Sequence, residues 1–445
     1  MRNIELTKGN ILTVLIELAL PIMATSFIQM AYNLTDMLWI GKLGADAVAS
    51  VGAAGMFMWF SNGLIMIARM GGQVKCGQSL GAKNSQKAGL YASNAILLAV
   101  LFAILFSTIC IFASDLLIGF FAFEEVHVIQ DAKIYLMTTC GCILFSFLNQ
   151  MYTALLSSAG NSKSSFIVNT IGLVFNIILD PLCIFGLGIF PRLGVFGAAL
   201  ATVCSQMVVT LLFQFVLAKE KLLFPHVKLL QKPQWSLIRE MIRIGAPTGL
   251  QNMLFSSISM GIARMVSGFG ATAVAVQKIG SQIESISWMT SDGFSASLNS
   301  FTAQNYGAKK HERVRKGFHI ALRVMIIWGI FTTLVLFLGA ETLFSFFISE
   351  KEVIPFGIDY LQILAYSQLF MCIEITTSGM LCGLGITMPS AIVSIGFNFL
   401  RLPLATLFIP FIGLNGIWWA ITLSSVMKGI VILSYYFIRK HRFEV

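Results

Sequence analysis

Charge is scarce in this sequence. Of its 445 residues only 11% are Asp, Glu, Lys or Arg, against 57% hydrophobic, and the mean hydropathy is +0.82. That leaves too little polar surface for a water-soluble globule and excludes soluble enzymes and soluble binding modules. The eight cysteines (76, 110, 140, 142, 183, 204, 372 and 382) lie almost wholly within apolar runs and form no CxxC pair or Cys/His cluster, which excludes a disulfide framework and a zinc centre built on them. No HExxH or phosphate-cradling P-loop occurs, so the chain is read as neither an enzyme nor an ATP-driven pump, and no cofactor is expected. The first ten residues show no signal-peptide cleavage pattern, and the first apolar run is expected to remain as a helix.

What the chain has in abundance is apolar sequence of membrane-spanning length, about 20 residues per run. Twelve such runs fall near 11–38, 46–74, 89–113, 131–158, 164–188, 195–218, 237–267, 272–303, 317–348, 355–382, 389–411 and 414–438. In lipid every backbone polar group must be paired within its own segment, so these runs predict helices. None of the short alternating strands of an outer-membrane barrel is present.

The net charge of +10 raises the question of nucleic acid, but the placement of the charges answers it. With the N-terminus on the cytoplasmic side, that side holds Arg2, Lys8, Lys83, Lys87, Lys163, Lys219, Lys221, Lys228, Lys232, Lys309, Lys310, Arg313, Arg315, Lys316, Arg439, Lys440 and Arg442. The opposite loops hold little beyond Lys42, Lys133, Arg192 and Lys351, beside Asp115, Glu124, Glu125, Glu350 and Glu352. This positive-inside pattern predicts a multi-pass protein of the plasma (inner) membrane with both termini cytoplasmic and no nucleic-acid partner.

The sequence repeats itself. Leu20-Pro21 returns as Ala246-Pro247, Leu43-Gly44-Ala45 as Phe269-Gly270-Ala271, and Gly81-Ala82-Lys83 as Gly307-Ala308-Lys309, each 226 residues later. Asn176-xxxx-Pro181 and Gly194-xx-Gly197 recur at slightly shorter spacing as Asn398-xxxx-Pro403 and Gly413-xx-Gly416. The expected architecture is an all-α polytopic fold of two six-helix bundles, related by a pseudo-two-fold axis along the membrane normal. Residues 1–218 form one lobe and 237–445 the other, joined by a cytoplasmic linker at 219–236. Pro21 and Pro247 lie inside apolar runs, where a missing N–H favours a kink, and are candidate hinges.

Acids at bilayer depth are costly and usually face a cavity, a partner or an ion path. Asp36, Asp180, Glu284, Asp292 and Glu374 lie well inside predicted helices. Asn176 precedes Asp180 by one helical turn and shares its face, as Asn33 does with Asp36. Two carboxylates with amide and hydroxyl oxygens suit a small hard cation or a shared proton. Glu284 and Asp292 have Arg264, Lys278 or Arg401 as candidate partners. Under the repeat, Asp36 corresponds to Ile262 and Asp180 to Leu402, so the pair belongs to the first half alone. Tyr32, Asn33, Met253, Glu284 and Glu374 are candidate cavity residues, since adaptable Met and aromatic walls with a few acids suit flat lipophilic cations.

Leu20-Pro21, the stretch Asn33-Leu34-Thr35-Asp36-Met37-Leu38-Trp39-Ile40-Gly41-Lys42-Leu43-Gly44, the paired loops ending in Lys83 and Lys309, and Gly197-Ala198-Ala199-Leu200-Ala201-Thr202 resemble the multidrug and toxic compound extrusion (MATE) transporters. The resemblance covers essentially the whole chain. It implies a functional monomer that expels lipophilic organic cations by alternating access in exchange for inward Na⁺ or H⁺. It also implies a first-lobe ion site at Asp36, Asn176, Asp180 and Thr202. A second-lobe site, which another branch of the family builds from acids of the seventh and tenth helices, is not matched. The seventh helix here, Pro247 to Gly268, holds no acid, and the tenth offers Glu374 in place of an aspartate. The alternatives are a flippase of the wider superfamily for a polyprenyl-linked sugar, for which Arg69, Arg264 and Arg401 speak, and a membrane receptor or enzyme without transport.

Overall fold

The computed structural model describes residues 4–121, 123, 125–188, 191–228, 232–347, 350 and 352–440; Arg2, Glu124, Lys351 and Arg442 of the charge pattern lie outside them. Among the described residues all regular structure is helical. In chain order the helices are α1 (Ile11–Gly41), α2 (Ala45–Gly81), α3 (Ser85–Phe112), α4 (Ser114–Gly119), α5 (Val126–Gly141), α6 (Ile143–Ser158), α7 (Ser162–Phe185) and α8 (Gly194–Lys219). They continue with α9 (Trp235–Ser267), α10 (Ala271–Gly307), α11 (His311–Leu338), α12 (Ala340–Ser345), α13 (Ile354–Gly383), α14 (Met388–Ile412) and α15 (Asn415–Arg439).

Nine of the described helices are long and apolar enough to cross a membrane, and α5 with α6, bent by 43° at their junction, makes a tenth span. The other two expected spans are present as the long helices α9 and α10, of 33 and 37 residues. They are more polar than the rest: α10 alone carries seven serines, whose hydroxyls pair inside the protein. Ser295 Oγ, for example, donates to the Ile375 carbonyl at 2.8 Å. Long apolar side chains such as Ile104, Leu105 and Phe112 of α3 are left uncovered by protein, as surfaces bathed in hydrocarbon are.

The repeat extends to the backbone. After α2, Lys83 adopts a left-handed φ of 57°, and after α10, Lys309 one of 58°. Each closes its helix with the same pair of turn bonds. Lys83 N donates to Leu80 O and Asn84 N to Ser79 O, both at 2.9 Å, while Lys309 N donates to Tyr306 O and Lys310 N to Asn305 O at the same distance. This Schellman arrangement satisfies carbonyls that a helix end otherwise leaves open. At the opposite ends Gly44 (φ 116°) and Gly270 (φ 94°) make the turns into α2 and α10, where a side chain would be strained.

By packing, the chain forms two compact units, one of Met1–Glu5 with Ala24–Gly249 and one of Leu6–Met23 with Leu250–Val445. The chain changes unit inside α1 and again inside α9, each time two residues beyond a proline, Pro21 and Pro247. In the first unit the early part of α9 lies so close to α2 that a Cβ on Gly71 or Gly245 would strike the backbone of Met241 or Ile67. In the second, Ser297 of α10 donates to the Leu15 carbonyl of α1 at 2.9 Å. Arg313 there gathers the carbonyls of Lys8 and Gly9 at 2.7 and 2.9 Å.

Between α8 and α9 the chain is pinned to the first unit. Glu220 accepts from the backbone N–H groups of Leu222, Leu223 and Phe224, and the N–H groups of Lys228 and Gln234 donate to Ser93 and Asn94 of α3, each at 2.9 Å.

Candidate functional site

Four helices of the first unit carry one polar cluster at their packed faces: α1 brings Tyr32 and Asp36, α5 Tyr135, α7 Asn176 and Asp180, and α8 Thr202. Small residues let these helices approach. A Cβ on Gly197 of α8 would collide with the Cys183 carbonyl of α7, and one on Gly172 with Val209. This close packing holds α7, which carries Asp180, directly against α8, which carries Thr202.

Asp180 is fully buried and Asn176 nearly so. Asn176 Nδ2 donates to Asp180 Oδ1 at 3.1 Å. The Asp36 and Asp180 carboxyl groups come within hydrogen-bonding reach of each other. Tyr32 OH and Thr202 Oγ1 share a hydrogen bond of 3.3 Å, and Tyr135 approaches the same threonine hydroxyl and faces both aspartates. Three buried oxygens of the cluster, Asp36 Oδ1, Asn176 Oδ1 and Asp180 Oδ2, find no donor among the described residues. All three are acceptors. Two carboxylates side by side and away from water repel, and each unmet oxygen costs free energy. A proton or a small hard cation relieves both penalties at once, and a shell of carboxylate, amide and hydroxyl oxygens is the chemistry that such an ion takes.

All four expected coupling residues, Asp36, Asn176, Asp180 and Thr202, are thus brought together. Tyr32, read from the sequence as a cavity residue, sits in this cluster through its bond to Thr202. Tyr135 is a member that sequence reasoning missed; only its packing against α8 reveals it. Asn33 is exposed and accepts from Gln29 at 3.4 Å, one turn earlier on α1. Met253 is half-buried on α9.

Glu284 and Glu374 belong to a separate network in the second unit. Gln368 Nε2 donates to Glu284 Oε1 at 3.0 Å, Ser394 Oγ donates to Glu374 Oε1 at 2.7 Å, and Lys428 Nζ stands 3.8 Å from Glu374 Oε2. Arg401, one of the three partners weighed for Glu284, acts on both acids electrostatically and is itself held by the hydroxyls of Ser424 and Ser425 at 2.9 and 3.0 Å. Lys428, missed in the sequence, is buried. The positions that the repeat matches to Asp36, Asp180 and Thr202 are Ile262, Leu402 and Ile421, and all three join one apolar core cluster. Asn398, the counterpart of Asn176, is kept and buried.

The family model described as MatE matches residues 21–182 and again 247–407, two stretches that begin at the two repeated prolines. Along 95% of this chain and 91% of the relative's length, the sequence is 30% identical to a probable multidrug resistance protein NorM of Thermotoga maritima. It is 26% identical to an FAD transporter of Shewanella oneidensis over 94% of this chain and 92% of that one. A solved structure described as the outward-facing conformation of a multidrug resistance MATE family transporter superposes with a TM-score of 0.91, at 21% identity, covering 100% of this chain and 99% of the other. With the family model matched twice across most of its length and a 30% identical relative spanning nearly all of it, the chain is a multi-pass membrane transporter of small molecules and belongs to the MatE family.

Proposed function

We propose that this protein exports lipophilic organic cations across the plasma (inner) membrane by alternating access, driven by the inward movement of Na⁺ or H⁺ at Asp36, Asn176, Asp180 and Thr202. One observation carries the assignment: three buried acceptor oxygens with no donor, from two acids and an amide, meet in one cluster. The cluster has no copy in the second unit, whose equivalent positions are packed with Ile and Leu. Of the acids in that unit, Glu284 and Glu374 already face Arg401 and Lys428, so their charge is met from within the chain. Pro21 and Pro247, each just before the point where its helix changes unit, serve as the hinges, the termini stay cytoplasmic, and one chain is the working unit.

The same charge balance speaks against an anionic cargo such as a lipid-linked pyrophosphate or FAD, which requires cations left unneutralised. Reconstituted vesicles test the reading. Uptake of a fluorescent lipophilic cation is expected when a sodium or a pH gradient is imposed and to vanish when both are collapsed. Accumulation of FAD in its place, or cation uptake that ignores both gradients, refutes it.

A further inference from the structure

A second group of ligand-type side chains lies at the far end of α1 from its start, away from the coupling cluster. Asp46 stands in the first turn of α2, while Glu125 and His127 flank the start of α5. His127 Nε2 is 2.9 Å from Asp46 Oδ2 and 3.5 Å from Glu125 Oε2, and the three donor atoms all lie within 4.8 Å of one another. An imidazole nitrogen carries one proton at most, so it bonds one of these two exposed carboxylates and leaves the second to water. A metal ion satisfies both. Tetrahedral bonds of about 2.0–2.1 Å space ligand atoms roughly 3.3 Å apart, which the two observed separations bracket.

The setting favours a cation further. Asp131 adds a negative charge near the imidazole. Ser50 Oγ, which contacts the Asp46 carbonyl at 2.8 Å and the Val128 carbonyl at 3.0 Å, fixes the two ligand-bearing turns against each other before any ion arrives. The three side chains are well exposed, so an ion can reach them and water can fill the open position. One imidazole nitrogen with two carboxylate oxygens selects a metal of the zinc class over Mg²⁺ or Ca²⁺, which prefer all-oxygen shells.

We propose that Asp46, Glu125 and His127 form a binding site for one zinc-class divalent cation, and that the bound ion clamps the start of α2 to the start of α5. On binding, the Nε2 proton passes to water and the metal takes its place. The clamp bears on transport because α5 also carries Tyr135 of the coupling cluster, and α2 follows Asp36 of α1 after a short turn. Zinc therefore slows the cycle without being its cargo; this second step rests on the export reading, whereas binding itself does not.

Calorimetric titration of the tag-free full-length protein with ZnCl₂ tests the site. One equivalent of Zn²⁺ is expected to bind, with affinity reduced at least tenfold in both His127→Ala and Glu125→Gln and unchanged in His319→Ala, a histidine remote in sequence. No binding, or binding unaltered in His127→Ala and Glu125→Gln, overturns the site. In vesicles, zinc is expected to slow cation uptake by the wild type and not by His127→Ala, whose uptake without zinc matches the wild type. Zinc that binds through these residues yet leaves uptake unchanged overturns the clamp.

Discussion

Asn176 donates its amide to Asp180 one turn along α7, at 3.1 Å, and thereby leaves its own Oδ1 as a buried acceptor facing no donor. In the proposed coupling site this pair supplies half of the ligands, because each residue orients the other and both keep an oxygen in reserve. Replacing Asn176 with Leu keeps the volume and removes one ligand. The ion concentration for half-maximal transport is expected to rise about tenfold or more, the equivalent of roughly 1.4 kcal/mol, while the maximal rate changes less. Transport measured against ion concentration separates the two.

Asp36 and Asp180 are within reach of each other and are expected to act as one unit. Asp36→Asn and Asp180→Asn should each abolish ion-driven uptake, and the double variant should be no worse than either, since effects within one site do not add. Thermal melting of the purified variants checks that folding is kept. Full additivity would separate the two carboxylates.

Lys428 and Glu374 form a buried pair in the second unit. Lys428→Gln strands a buried carboxylate and is expected to destabilise by about 3–5 kcal/mol, with most of the loss recovered in Lys428→Gln/Glu374→Gln. Thermal melting of the four proteins reads this cycle. A single variant as stable as the wild type would show that the pair is immaterial.

Gly197 allows α8 to touch the Cys183 carbonyl of α7. Gly197→Ala should cost about 1–3 kcal/mol of stability and also weaken ion coupling, because Asp180 and Thr202 ride on the two helices that must part. Gly188, which has open space around it but a positive φ of 69°, supplies the contrast: Gly188→Ala strains the turn only and should leave coupling intact.

Much of this was legible in the sequence wherever a local rule governs. The turns at Lys83 and Lys309 repeat because helix ends demand the same carbonyl partners, and Asn176 and Asp180 share a face because a helix turns once in 3.6 residues. The span expected at 272–303 is present as α10 although that helix is more polar than the rest, because its serines are paired by packing. Tyr135 and Lys428 could not be read at all. Each acquires its role from helices far away in sequence, as does the passage of α1 and α9 from one packed unit to the other, for which Pro21 and Pro247 are only a local hint.

Equilibrium binding of the coupling ion to the purified protein, by isotopic sodium or by proton release on a pH-stat, bears most directly on the ion site. One saturable monovalent cation per chain is expected, lost in Asp36→Asn and in Asp180→Asn and retained in Lys428→Gln/Glu374→Gln. Binding that survives both aspartate substitutions, or that disappears with the second-unit pair, would contradict it.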